Sequence, residues 1–179
     1  MEFDIRQTRI AKGIAILLLL WHHIFLNTPE NQQRFVSLFS IKGVPIECLV
    51  SEYAKVCVAM FLVLSGYGLY KSWINRFGII LGGNYNPRIK DQISFVKNRL
   101  TKLMFGFWVV FIIFVPLSIW FGKPFWIVYK GNVLYGLIDF FGLSTIFSTP
   151  TMNPTWWFMG AIIVFYILFP LLIKLFSYS

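Results

Sequence analysis

The apolar positions of this chain fall into long, nearly unbroken runs separated by polar connections. Four runs stand out, at 10–26, 54–70 (AKVCVAMFLVLSGYGLY), 103–121 and 156–176. Each approaches the about 20 apolar residues that a helix needs to cross a hydrocarbon core. Backbone groups in lipid must be satisfied within their own segment, so each run is predicted to be helical. Pro116 and Pro170 lie inside the third and fourth runs and predict kinks there. A fifth stretch, 131–147 (GNVLYGLIDFFGLSTIF), is shorter, carries Asp139 and three glycines (Gly131, Gly136 and Gly142), and runs into STPTMNP. It reads as interfacial or re-entrant, with Asp139 solvated. The expected fold is therefore all-α. A polytopic transmembrane helical bundle of about four spans would occupy 1–179 as one membrane domain, without internal repeats or low-complexity tracts.

Composition supports this. The chain has 179 residues, of which 58% are hydrophobic and 13% charged, and its mean hydropathy is +0.70. No soluble core of this length hides so much apolar surface. Arg6, Arg9 and Lys12 before the first run resemble the start of a signal peptide. No small-residue cleavage site follows, however, and further spans do, so the segment is read as a span. Cys48 and Cys57 lack metal or redox spacing, and His22 and His23 complete no zinc pattern, so two free thiols and no metal are expected.

The net charge of +9 is distributed between the runs, which makes it a topology signal rather than a nucleic-acid footprint. Lys71, Arg76, Arg88, Lys90, Lys97, Arg99 and Lys102 crowd the connection between the second and third spans, against Asp91 alone. Arg34, Lys42 and Lys55 in the preceding connection are balanced by Glu30, Glu47 and Glu52. The positive-inside rule then places the N-terminus and 71–102 in the cytoplasm, with 27–53 and 122–155 outside. Trp120, Trp126, Trp156 and Trp157 would form an aromatic belt on the outer side. The basic 71–102 connection also suits anionic lipid headgroups.

The first run carries the most unusual residues. In KGIAILLLLWHH, Lys12 and His23 are eleven residues apart, which on a helix returns to within about 20° of the same face after a rise of about 16.5 Å. They share one stripe and could contact the two ends of one long ligand. His22 points about 100° away, which argues against both histidines serving one site. Polar groups inside a membrane are costly and tend to face a cavity. A histidine there suits proton transfer near neutral pH. The plainer alternatives are that Lys12 snorkels to the headgroups and that His22 is solvated or hydrogen-bonded.

Four segments together resemble the N-terminal part of the acyltransferase 3 family of polytopic membrane acyltransferases. KGIAILLLLWHH is similar to the family's basic residue, ten residues and histidine, with Lys12 on the basic position and His23 on the histidine. FLVLSGYGLYKSW is similar to its phenylalanine-rich segment ending in Ser-Gly, here Ser65 and Gly66. FVKNRLTKLMFGFW is similar to its Arg-x-x-Arg run, with Arg99 on the first arginine and Lys102 on the second. NPTWWFMGAIIVFYILFPLL is similar to its tryptophan-led span. Two departures are clear. Lysines stand at two arginine positions and lack arginine's bidentate fork, and Ile162 and Ile163 stand where some members carry glutamates. They suggest a separate branch and leave the acceptor open.

The resemblance implies an O-acyltransferase of the bacterial-type inner membrane, multi-pass with a cytoplasmic N-terminus. Acyl-CoA, normally acetyl-CoA, would be the co-substrate, with no permanently bound cofactor, and the acceptor would be a hydroxyl of a cell-envelope glycan or lipid-linked sugar. His23 would be the catalytic base, and Lys12, Arg99 and Lys102 would hold donor anions. Ser65, Gly66, Trp156 and Trp157 would pack or touch substrate. Ser65 and His23 sit toward opposite ends of their spans, so no Ser–His pair is expected. Family members usually carry many more spans, so this chain is expected to be the N-terminal half of a larger bundle, with the missing half as a partner. The alternative is a truncated, inactive four-span protein that binds a partner or lipid.

Overall fold

The computed structural model describes residues 4–34, 37, 39–78 and 87–177, so the middle of the basic 71–102 connection, at 79–86, lies outside the described residues. The architecture is all-α, with one two-stranded hairpin. The chain divides into two compact bodies between Arg76 and Phe77.

The first body begins with α1, Ile5–Ile24. Asp4 starts it with a capping box: its carboxylate accepts from the first-turn backbone, while the Gln7 side chain accepts from the Asp4 N–H at 3.0 Å. After the short α2 (Pro29–Arg34), β1 (Ser40–Ile41) and β2 (Val44–Pro45) pair antiparallel, Ser40 against Pro45 and Ile41 against Val44. Lys42 and Gly43 between them both have positive φ, 53° and 81°. That is the two-residue loop whose twist matches a hairpin. Helices α3 (Ile46–Ala54) and α4 (Val56–Phe77) follow almost without a break. Helix α1 packs on α3, and the buried residues of the pair are all small: Ala15 on α1, and Cys48, Ser51 and Ala54 on α3. Small side chains let helix backbones approach closely where lipid supplies no hydrophobic drive.

The second body is built on α5 (Ile89–Trp120) and α8 (Trp157–Ser177). Phe95 near the start of α5 stacks on Phe169 near the end of α8, while Phe107 and Phe111 further along α5 meet Trp156, just before α8 begins. The two helices are therefore antiparallel. Both run through their prolines, Pro116 and Pro170. Between them lie α6 (Phe125–Val128), α7 (Val133–Phe140) and a single 3-10 turn, Pro154–Trp156. The core gathers Met104, Phe107, Phe111, Tyr129, Met152, Trp156 and Ile163.

Among the described residues, three helical stretches are long and apolar enough to cross a membrane: Ile46–Phe77, Ile89–Trp120 and Pro154–Phe176. The first starts earlier than the sequence run at 54–70 because α3 leads almost directly into α4; Glu52 and Lys55, which interrupt the hydropathy, pair with each other there. At 32 residues, α5 extends about 48 Å. That exceeds a core of about 30 Å, so its polar first turns project beyond the lipid. Helix α1, on the run at 10–26, is 20 residues long. It is not among the three, because Arg6, Arg9 and Lys12 at one end and His22 and His23 at the other leave its apolar middle short. The 131–147 stretch forms α7 followed by turns, and eight residues reach only about 12 Å.

Candidate active site

Helix α1 is continuous from Ile5 to Ile24, so Lys12 and His23 do lie on one stripe of one rigid rod. Both side chains are exposed. His22 is half-buried, and its Nδ1 lies 2.9 Å from the Ser51 carbonyl oxygen. A carbonyl only accepts, so His22 carries its hydrogen on Nδ1, and in the neutral ring Nε2 keeps the lone pair. The reason for the contact is local. Ser51 lies in the last turn of α3, where carbonyls lack helical partners. Trp21 adds a second tie, its Nε1 donating to the Glu47 carbonyl at 3.3 Å.

The 100° offset between successive helix positions still leaves the two neighbouring imidazoles close to each other. Their ring centroids are 5.3 Å apart at an interplanar angle of 51°. The result is a pair with one tethered ring, His22, and one open ring, His23. Ser65 and Gly66 are half-buried on α4, and no hydrogen bond joins Ser65 to either histidine among the described residues. Cys48 and Cys57 are free, buried thiols.

Arg99 and Lys102 belong to the second body, three residues apart on one face of α5. The Arg99 guanidinium lies 5.4 Å from the Phe95 ring centroid, a cation–π contact that orients its planar head, and Lys102 is exposed. Trp157 is exposed as a belt residue should be. Trp156 is not, and this corrects the expectation that it anchors the interface or stacks on a sugar. Phe107, Phe111 and Phe114 surround it at centroid distances of 5.3, 5.1 and 5.4 Å, so it is a core residue.

A second correction concerns Asp139, which is not solvated. It has no exposed surface. The Ser144 hydroxyl donates to Oδ1 at 2.6 Å, while the Tyr129 hydroxyl at 2.6 Å and the Met152 N–H at 2.9 Å donate to Oδ2. Burial, and then the bond to the Asp139 carboxylate, push the Tyr129 hydroxyl well above the usual tyrosine range. This knot fastens α6, α7 and the 144–152 segment ahead of Trp156. Gly142 completes the turn after α7: its φ is +68°, and a Cβ there would lie 3.0 Å from Cβ of Met159. Among the described residues, no group of three or more His, Cys, Asp or Glu side chains gathers as a metal site would require. Sequence reading missed the Asp139 knot, and it gave His22 as solvated or hydrogen-bonded without naming its partner on α3. The only advance signal was an aspartate inside a stretch rich in turn-forming residues.

A family model for an acyltransferase domain matches residues 8–178, nearly the whole chain. No curated protein and no solved structure shows a significant match.

Proposed function

The chain belongs to the acyltransferase 3 family, and on that premise we propose that it moves an acetyl group from acetyl-CoA to a hydroxyl of a cell-envelope glycan or lipid-linked sugar. It does so in a bacterial-type plasma membrane, with its N-terminus in the cytoplasm. The observation that supports this reading best is α1, whose unbroken rod carries exposed Lys12 and His23 on one stripe.

In this mechanism, Lys12 on the first body, and independently Arg99 and Lys102 on the second, carry positive charge for anionic groups of the donor on the cytoplasmic side. The acyl-pantetheine arm runs along the stripe toward His23, a path of about 16.5 Å. His23 takes the proton from the acceptor hydroxyl as the oxygen attacks the thioester carbonyl. The C–S bond then breaks, the acetyl group stays on the acceptor oxygen, and the departing thiolate receives a proton from the imidazolium. His22, held by the Ser51 carbonyl, fixes the end of α1 from which His23 projects.

The test is His23→Ala, assayed by the O-acetyl content of envelope glycans and by membrane abundance in the same cells. General-base removal is expected to cut transfer by about 10²–10⁴-fold at unchanged abundance. Unchanged glycan acylation in this variant would overturn the assignment.

A further inference from the structure

Within the second body, a groove of ≈ 900 Å³ runs between the first half of α5 and the last turns of α8. That is large for a small-molecule site, where about 300–1,000 Å³ is usual. Its walls are mostly apolar, with Val96 and Leu100 on α5 facing Ile167 and Leu171 on α8. Among the described residues, two cations line it, Lys97 and Lys174, and no acidic side chain does. The helices are antiparallel, so the early turns of α5 and the late turns of α8, which carry the two lysines, share one end of the body.

This groove is separate from the donor cations. Along α5, Lys97 and Arg99 are about 200° apart, as are Leu100 and Lys102. Arg99 and Lys102 are not among the residues that line the groove, although Val96, which does, is only about 60° from Arg99 around the helix.

We propose that the groove is a binding site for an anionic phospholipid, with an acyl chain against the apolar walls and the phosphate held by Lys97 and Lys174. In a bilayer, an apolar wall gains little by exchanging one lipid tail for another. Selectivity must come from the headgroup, and two ammonium groups on an otherwise uncharged apolar lining supply it. This site does not depend on the acyl-transfer reading and adds a lipid requirement to it.

The test uses the full chain in nanodiscs of equal phosphatidylglycerol and phosphatidylcholine, with retained lipid identified by native mass spectrometry. The wild type should retain phosphatidylglycerol preferentially. A K97Q/K174Q variant should lose roughly tenfold of that preference, because each interfacial cation contributes to headgroup binding. Lys123→Gln, beyond the far end of α5, should keep it. Leu100→Trp, which fills the groove and leaves both lysines, should lower the retention of both lipids. Equal retention of the two lipids by the wild type, an unchanged preference in K97Q/K174Q, or undiminished retention in Leu100→Trp would overturn the site. Release of the retained lipid by added acetyl-CoA would also overturn it and assign the groove to the donor.

Discussion

The two bodies treat their polar side chains in opposite ways. In the first, Lys12 and His23 stand exposed on a helix whose one buried residue is Ala15. In the second, Asp139 has no exposed surface and accepts three hydrogen bonds. Each interrupts an apolar stretch, and each looked like a candidate for chemistry or solvation. The difference lies in what surrounds them. A carboxylate occupied by a tyrosine, a serine and a backbone N–H has little left to offer a substrate. An imidazole with an open edge can exchange a proton.

The contrast breaks most visibly if the two sites are mutated in parallel. His23→Ala should remove transfer while leaving thermal stability in detergent unchanged. Asp139→Ala should do the reverse at the level of the fold. It strands the Tyr129 and Ser144 hydroxyls and the Met152 N–H without a buried acceptor, a loss on the order of 3 kcal/mol. Melting curves of both variants, read beside their activities, decide the matter. A destabilised His23 variant or a fully stable Asp139 variant would erase the distinction.

A finer test uses Tyr129→Phe. Removing one hydroxyl donor to the carboxylate should cost about 1.5–3 kcal/mol near neutral pH. The sign of the pH dependence is also set. The native state holds the Tyr129 proton more tightly than the unfolded chain, where tyrosine ionises near pH 10. The stabilisation from this group is therefore complete below about pH 10 and declines as pH rises past it. The wild type should lose stability between about pH 10 and 11 more steeply than Tyr129→Phe, and parallel curves would count against the knot.

The smallest expected effect is at His22. His22→Ala removes one half-buried hydrogen bond to the Ser51 carbonyl, worth about 1 kcal/mol. Transfer should fall far less than in His23→Ala. An equal fall in kcat for both variants would mean that the tethered ring shares the chemistry.

Much of the fold is legible in the amino-acid sequence. Apart from one or two residues at an end, the runs at 54–70, 103–121 and 156–176 fall on long helices, because a continuous apolar segment has one way to satisfy its backbone in lipid. The stripe through Lys12 and His23 was readable too, since the helical repeat relates residues of one helix without reference to anything else. Trp156 and Asp139 were misplaced for a common reason. Hydropathy ranks a residue by type, but Trp156 is buried by phenylalanines of α5, and Asp139 is satisfied by partners on either side of it in the chain. A hydrogen-bonded His22 was among the readings of the sequence, but its partner was not, because that depends on which helix packs against α1.

By itself, then, the amino-acid sequence determined that this is a helical membrane acyltransferase of a known family, where three long apolar helices run, and which residues share a face of α1. These are properties of contiguous segments. Only the tertiary structure decided that Asp139 is a structural knot, that Trp156 is core, that His22 is tied while His23 is open, and that Lys97 and Lys174 line one groove. Each of these is a meeting of residues on separate elements, and no local pattern encodes which elements will touch.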